Sequence, residues 1–204
     1  MQRGSGARRR EAEAELTGGY DPVARASHWL VAMLAVVVVT LGWAIPETAR
    51  NTPSRELLLL LHRSLGLTIL AAMVFRGVWR WRHPPPRLPA SLSAWETRLA
   101  HASHAVLYLL FIAMPLAGYL NAAAAGHPVR FFGLFDIPPI LPENDRLSQI
   151  AIAAHLLGQY LVYAFVALHI AAALMHALIR RNGVLERMLP PPRRSRLSAT
   201  IKAP

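Results

Sequence analysis

The stretch that decides the fold runs from Ile150 to Ile179 and reads IAIAAHLLGQYLVYAFVALHIAAALMHALI. It holds no Asp, Glu, Lys or Arg, and it exceeds the ~20 apolar residues needed to cross the hydrocarbon core of a bilayer. Three histidines interrupt it, His155, His169 and His176. Ionisable side chains are costly at membrane depth, so they face the interior of a helix bundle and mark function. Working outward from this segment, similar apolar runs occupy Ala26–Ile45, Leu57–Val78 and Leu99–Leu120. Four spanning runs predict an all-α membrane protein, a four-helix transmembrane bundle.

Helix punctuation sets the boundaries. Asp21-Pro22 and Thr52-Pro53 suit an N-cap followed by the first helical position. Ser93-Ala-Trp-Glu96 reads as a capping box, Asp145 as the cap of the fourth helix and Asn182-Gly183 as its stop. The predicted helices are about 22–45, 53–80, 94–120 and 146–181, within a transmembrane domain over 20–190. Pro115 predicts a kink in the third helix. Residues 1–19 are expected to be a disordered tail, since Arg8-Arg9-Arg10 is followed by Glu11, Glu13 and Glu15 in place of the apolar run of a signal peptide. Residues 191–204 form a basic tail.

The composition agrees with lipid as solvent: 54% of residues are hydrophobic, 16% are charged and the mean hydropathy is +0.32. The net charge of +11 would suit nucleic acid, but the basic residues fall in blocks between long uncharged runs. Of 22 Lys and Arg, 17 lie in 1–27, 76–98 and 180–204, and 5 lie in 46–63 and 121–149. By the positive-inside rule both termini are cytoplasmic. The charge therefore reports orientation, and nucleic acid is rejected as a partner. Trp79, Trp81 and Trp95 are expected as anchors at the inner interface. With no cysteine, thiolate metal sites, disulfides and iron–sulfur clusters are excluded, and imidazole is left as the metal ligand.

The histidines fall at matching depths. His62 lies ten residues after Thr52 and His155 ten after Asp145, both on helices that start outside, so they are level near the outer surface. His28 lies seven after Asp21 on a helix that starts inside, and His169 reaches that level after descending the fourth helix. His155 and His169 are 14 apart, which leaves them about 40° out of register and about 21 Å apart along the axis. Two level pairs from different helices are the arrangement that holds two flat macrocycles by axial imidazoles. A membrane histidine can also simply hydrogen-bond a neighbouring helix, and the pairing in depth is what favours haem iron as the metal for His28, His62, His155 and His169. His101 and His104 lie on the inner half of the third helix, where either can replace an inner ligand, contact propionate or quinone, or be structural. His176 reads as a quinone or proton contact or as an interfacial side chain. His83 and His127 are in loops.

These residues resemble the prokaryotic cytochrome b561 family of four-helix, di-haem, quinone-linked proteins. The matching stretches are Ser27-His28-Trp29-Leu30, His62-Arg-Ser-Leu-Gly66, Leu99-Ala-His-Ala-Ser-His104 through Pro115, His155, Leu168-His169 through His176, and Asn182-Gly183 through Pro190. The resemblance covers about residues 20–190. It implies two haem b groups, the outer held by His62 and His155 and the inner by His28 and His169. Asn182 stands where the family commonly has an acidic residue, and Ala177 where a second histidine often follows the first. The family resemblance also implies superoxide oxidase activity, with superoxide giving up an electron outside and ubiquinone reduced near the inner side. Arg63 is then a contact for a haem propionate or for superoxide, and Arg130 and Arg146 add outer positive charge, with Asp136, Glu143 and Asp145 opposing it.

The leading expectation is a haem b oxidoreductase of the bacterial inner membrane that moves electrons between an outer donor, superoxide, and the ubiquinone pool. The alternative is an electron-transfer subunit joining quinone to a periplasmic dehydrogenase or other redox protein. A histidine-lined metal transporter fits less well, because no acidic residue accompanies the histidines at membrane depth. Phe131-Phe132-Gly-Leu-Phe135 and Ile137-Pro-Pro-Ile-Leu-Pro142 either dock a partner or cover the outer haem.

Overall fold

The computed structural model describes residues 18–89 and 91–190. Both tails beyond these bounds, expected as a disordered and a basic segment, lie outside the described residues. Four helices long and apolar enough to cross a membrane make up the fold: α1 (Pro22–Glu47), α2 (Pro53–Arg82), α3 (Ala94–Ala124) and α4 (Asp145–Leu174). They form an all-helical bundle in which α1 packs on α2, α2 on α3 and α3 on α4. The helices α1 and α4 are joined by side chains, with Trp43 Nε1–H donating to Tyr163 Oη at 2.8 Å.

Local sequence explains the ends. Asp21 caps α1 by accepting from the Val23 and Ala24 amides at 2.9 and 3.0 Å. Its carboxylate also accepts from Trp79 Nε1 at 3.1 Å, which ties α1 to the inner end of α2. Burial raises the Asp21 pKa, and the hydrogen bonds from Ala24, Trp79 and Val23 outweigh it, so the carboxyl titrates below its ordinary 3.8. The Ser93–Glu96 capping box forms in full. At the other end of α3 the His127 amide reaches Ala122 O and the Gly126 amide reaches Ala123 O, both at 3.0 Å, with Gly126 at φ 73°. That is a Schellman stop, and it needs glycine. The C-terminal carbonyls of α1 are satisfied by Arg55, whose Nη1 donates to Thr48 O at 2.8 Å and to Ile45 O.

Three expectations are corrected. The cap of α4 is Asn144, whose Oδ1 accepts from the Leu147 amide at 2.9 Å, while Asp145 is the first helical residue. The end of α4 is not a simple Asn182-Gly183 stop. From Met175 to Arg180 the helix loosens into a π-helix, and Arg181 takes the left-handed position at φ 47°, its amide bonding back to His176 O. Third, Trp79 is not a free-standing exposed anchor, whereas Trp81 is 81% exposed. Trp79 stacks between Phe75 and His83, with ring centroids 5.8 and 4.1 Å away.

The buried core cluster is small: Val31, Ile69 and Met73, backed by Leu34, Val38, Ala72, Tyr108, Phe111 and Ile112. Large apolar side chains such as Val36, Leu109, Leu157 and Ile179 point outward at 66–77% exposure, as expected where lipid replaces water around the bundle. The connection between α3 and α4 forms a β-hairpin, β1 (Val129–Phe131) paired antiparallel with β2 (Phe135–Ile137), Arg130 opposite Asp136. Its turn uses positive φ at Phe132 and Gly133, and the Leu134 amide closes on Phe131 O at 2.9 Å.

Candidate haem-binding site

Four histidines from three helices meet in two pairs. The rings of His62 on α2 and His155 on α4 have centroids 6.0 Å apart and planes at 75°. Those of His28 on α1 and His169 on α4 are 6.3 Å apart at 51°. With iron–nitrogen bonds of about 2 Å and ~1.1 Å more from nitrogen to ring centre, two imidazoles on opposite faces of one iron sit about 6.2 Å apart. Both separations fit a bis-imidazole iron.

The two pairs differ in their support. His62 Nδ1 lies 3.1 Å from Val38 O on α1, and His155 Nδ1 lies 2.9 Å from Met114 O on α3. A carbonyl only accepts, so both Nδ1 atoms carry the proton and Nε2 keeps the lone pair a metal needs. This fixes the tautomer from the neighbouring helix. His28 Nδ1, by contrast, is buried with no partner, an orphaned polar atom of the kind a bound group or water would satisfy. The residues present thus fit haem b.

The end of the bundle that holds His28 and His169 gathers more than the pair. The His104 ring on α3 lies 5.5 Å from that of His169, so α3 contributes to the same cluster. Arg76, which sequence reading did not single out, donates through Nη1 to Ser27 Oγ and Ala24 O, both at 3.1 Å, and lies 5.9 Å from the centroid of Tyr108. It faces a small inner cavity that Tyr20, Trp79, Arg80 and Met188 also line. The available signal was its place at the inner end of α2, where a cation next to a spanning segment was counted only for topology. His101 is exposed and outside the cluster. His176 lies apart in the π-helix, its Nδ1 3.0 Å from Asn182 Nδ2, and Asn182 Oδ1 is buried without a partner.

At the opposite end, beside the β-hairpin, a cavity of about 220 Å³ is lined by Glu56, Leu59, Leu60, Arg63, Pro128 and Arg130. Arg63 and Arg130 bring positive charge to it, and Glu56 and the Arg130–Asp136 ion pair at 3.3 Å reduce it. The β-hairpin forms part of its wall and is pinned to α2 by Ser64. The Phe132 amide donates to Ser64 Oγ at 2.8 Å, and Ser64 Oγ donates to Arg130 O at 3.4 Å. Arg146, the third cation expected on the outer side, is not among the lining residues.

Comparison with known proteins gives the family. The family model of prokaryotic cytochrome b561 matches residues 19–191. Cytochrome b561 homolog 2 of Escherichia coli (strain K12) is 32% identical over 176 residues, covering 83% of this chain and 90% of that protein. A protein of Yersinia pestis named probable superoxide oxidase CybB is 33% identical over 165 residues, with 80% and 91% covered. Cytochrome b561 homolog 1 of Escherichia coli (strain K12) is 26% identical, with 80% and 92% covered. The chain belongs to the prokaryotic cytochrome b561 family, and with that membership it is a multi-pass membrane electron-transport oxidoreductase of a haem b family.

Proposed function

We propose that the chain holds two haem b groups, carries electrons from superoxide on the outer side to ubiquinone near the inner side, and lies in the bacterial inner membrane with both termini in the cytoplasm. His62 and His155 hold the outer haem, and His28 and His169 the inner one, within a domain spanning residues 20–190. The observation that carries this reading is the pair of ring separations, 6.0 and 6.3 Å, on three helices that are otherwise packed in apolar side chains. Bound haem supplies one-electron carriers at two depths, and an iron filled on both sides by imidazole leaves no open site for oxygen. The 33% identity with the protein named probable superoxide oxidase supports superoxide as the donor.

The chain's own residues then have these roles. Arg63 and Arg130 line the outer cavity and draw a small anion towards it. Ser64 holds the hairpin against α2 and so keeps the cavity wall in place. Two superoxide anions lose one electron each and leave as dioxygen, and one ubiquinone gains two electrons and two protons. Those protons enter from the inner side, where Arg76, His104 and the His176–Asn182 pair supply polar contacts for a quinone head and its proton donors.

The test is to supply superoxide and ubiquinone to the purified protein and follow quinol. Quinol at half the rate of superoxide loss, reduced by Arg63→Gln and by added salt, is the expected result. A second reading, an electron-transfer subunit for a periplasmic redox protein, is favoured by the apolar outer surface, where Leu134 is 78% and Ile140 72% exposed. Haems inert to superoxide but reduced quickly by a co-purifying protein would establish that reading instead.

A further inference from the structure

The two outer histidines are seated in the same way on two different helices. His62 Nδ1 donates to Val38 O, and the residue four further along α1 is Gly42. His155 Nδ1 donates to Met114 O, and the residue four further along α3 is Gly118. In an α-helix the amide of residue i+4 already bonds to the carbonyl of residue i, so each glycine stands directly above the carbonyl that the imidazole uses. A Cβ on Gly42 would lie 3.2 Å from His62 Cε1 and 3.6 Å from Nδ1. A Cβ on Gly118 would lie 3.4 Å from both Cε1 and Nδ1 of His155, at the near limit of ordinary contact, so a side chain larger than that of alanine would intrude there. Glycine in a helix interior costs ~1 kcal/mol against alanine, so its use at both seats calls for a reason beyond helix formation.

We infer that Gly42 and Gly118 are positioning residues for the outer haem: by leaving out a side chain they let each imidazole reach the second lone pair of a helix carbonyl, which sets its tautomer and ring direction. This rests on the proposed ligand pairs. The hydrogen bond also makes each imidazole a more basic ligand, which lowers the potential of the iron it holds. Among the described residues no glycine lies against His28 or His169, and His28 Nδ1 has no partner, so there the device belongs to the outer pair alone. Ala71 on α2 and Ala164 on α4 are exposed, each nine residues from a histidine of the pair and so on the opposite side of its helix, and serve as controls.

The test is haem content, redox titration and low-spin electron paramagnetic resonance on the full-length protein in detergent. Gly42→Val and Gly118→Val are expected to lose one of two haems and to keep the signal of the inner one, while Ala71→Val and Ala164→Val keep both. Gly42→Ala, a milder intrusion, is expected to keep both haems while raising the potential and shifting the resonance of one only; it also decides the matter if a valine variant does not fold. Unchanged potential and resonance in Gly42→Ala, or two haems retained in both seat valine variants, or equal haem loss in the control variants, would overturn the inference. A wild-type protein with fewer than two haems would instead overturn the reading on which it stands.

Discussion

Replacing Ser64 by alanine tests how the outer cavity is walled. Ser64 is fully buried, and its hydroxyl is the partner of the Phe132 amide at 2.8 Å and donates to Arg130 O at 3.4 Å. The second bond is long and contributes little. The first matters, because its loss strands a backbone donor, which costs about 1–3 kcal/mol, the lower end applying if water enters the space left by the hydroxyl. The cost falls on the hairpin, since Ser64 lies inside a helix whose own hydrogen bonds are unaffected. At ~1.4 kcal/mol per tenfold, the open population of the hairpin rises roughly 5- to 150-fold. Hydrogen exchange followed by mass spectrometry reads this directly in the segment 129–137, compared with the middle of α2 as internal reference. Haem content should not change, because Ser64 touches neither ring pair. Exchange at 129–137 equal to wild type, or faster exchange through α2 as well, would refute the reasoning.

Two further outcomes follow from the helix ends. Arg55→Ala leaves the last carbonyls of α1 without their cationic donor; a loss of about 1–2 kcal/mol is expected, seen as a thermal midpoint about 2–8 °C lower, with Arg55→Lys intermediate. Asp21 has a folded pKa depressed below 3.8, so its contribution is complete above that value and is lost as pH falls through the lower folded pKa. Amide exchange at Val23 and Ala24, corrected for intrinsic rate, should therefore speed up on acidification in wild type and be insensitive to pH in Asp21→Asn.

Much of the architecture was legible because bilayer-spanning helices announce themselves by length and hydropathy, and because caps such as Ser93–Glu96 act within one turn. The depth pairing of His62 with His155 and His28 with His169 was legible for a related reason: rise per residue converts sequence distance into height. What depended on neighbouring chain segments was not. Asn144 displaced Asp145 as cap because both residues suit the role, and the backbone path after Pro142 decides between them. The π-helix from Met175 to Arg180 left no mark in composition. Arg76 and His104 join the inner cluster through helix rotation, which residue counting does not fix for α2 and α3. The hairpin over the outer cavity arose from a turn at Phe132-Gly133 that an apolar run concealed.

The central claim is that four histidines hold two haems in level pairs, and the most direct measurement is the haem-to-protein ratio with a redox titration for each single histidine variant. The account predicts two haems in wild type. It predicts one haem in His62→Ala and His155→Ala, with the same remaining potential in both. It predicts one haem of the other potential in His28→Ala and His169→Ala, and two in His104→Ala. Two haems retained in His169→Ala, or a haem lost in His104→Ala and kept in His28→Ala, would contradict it.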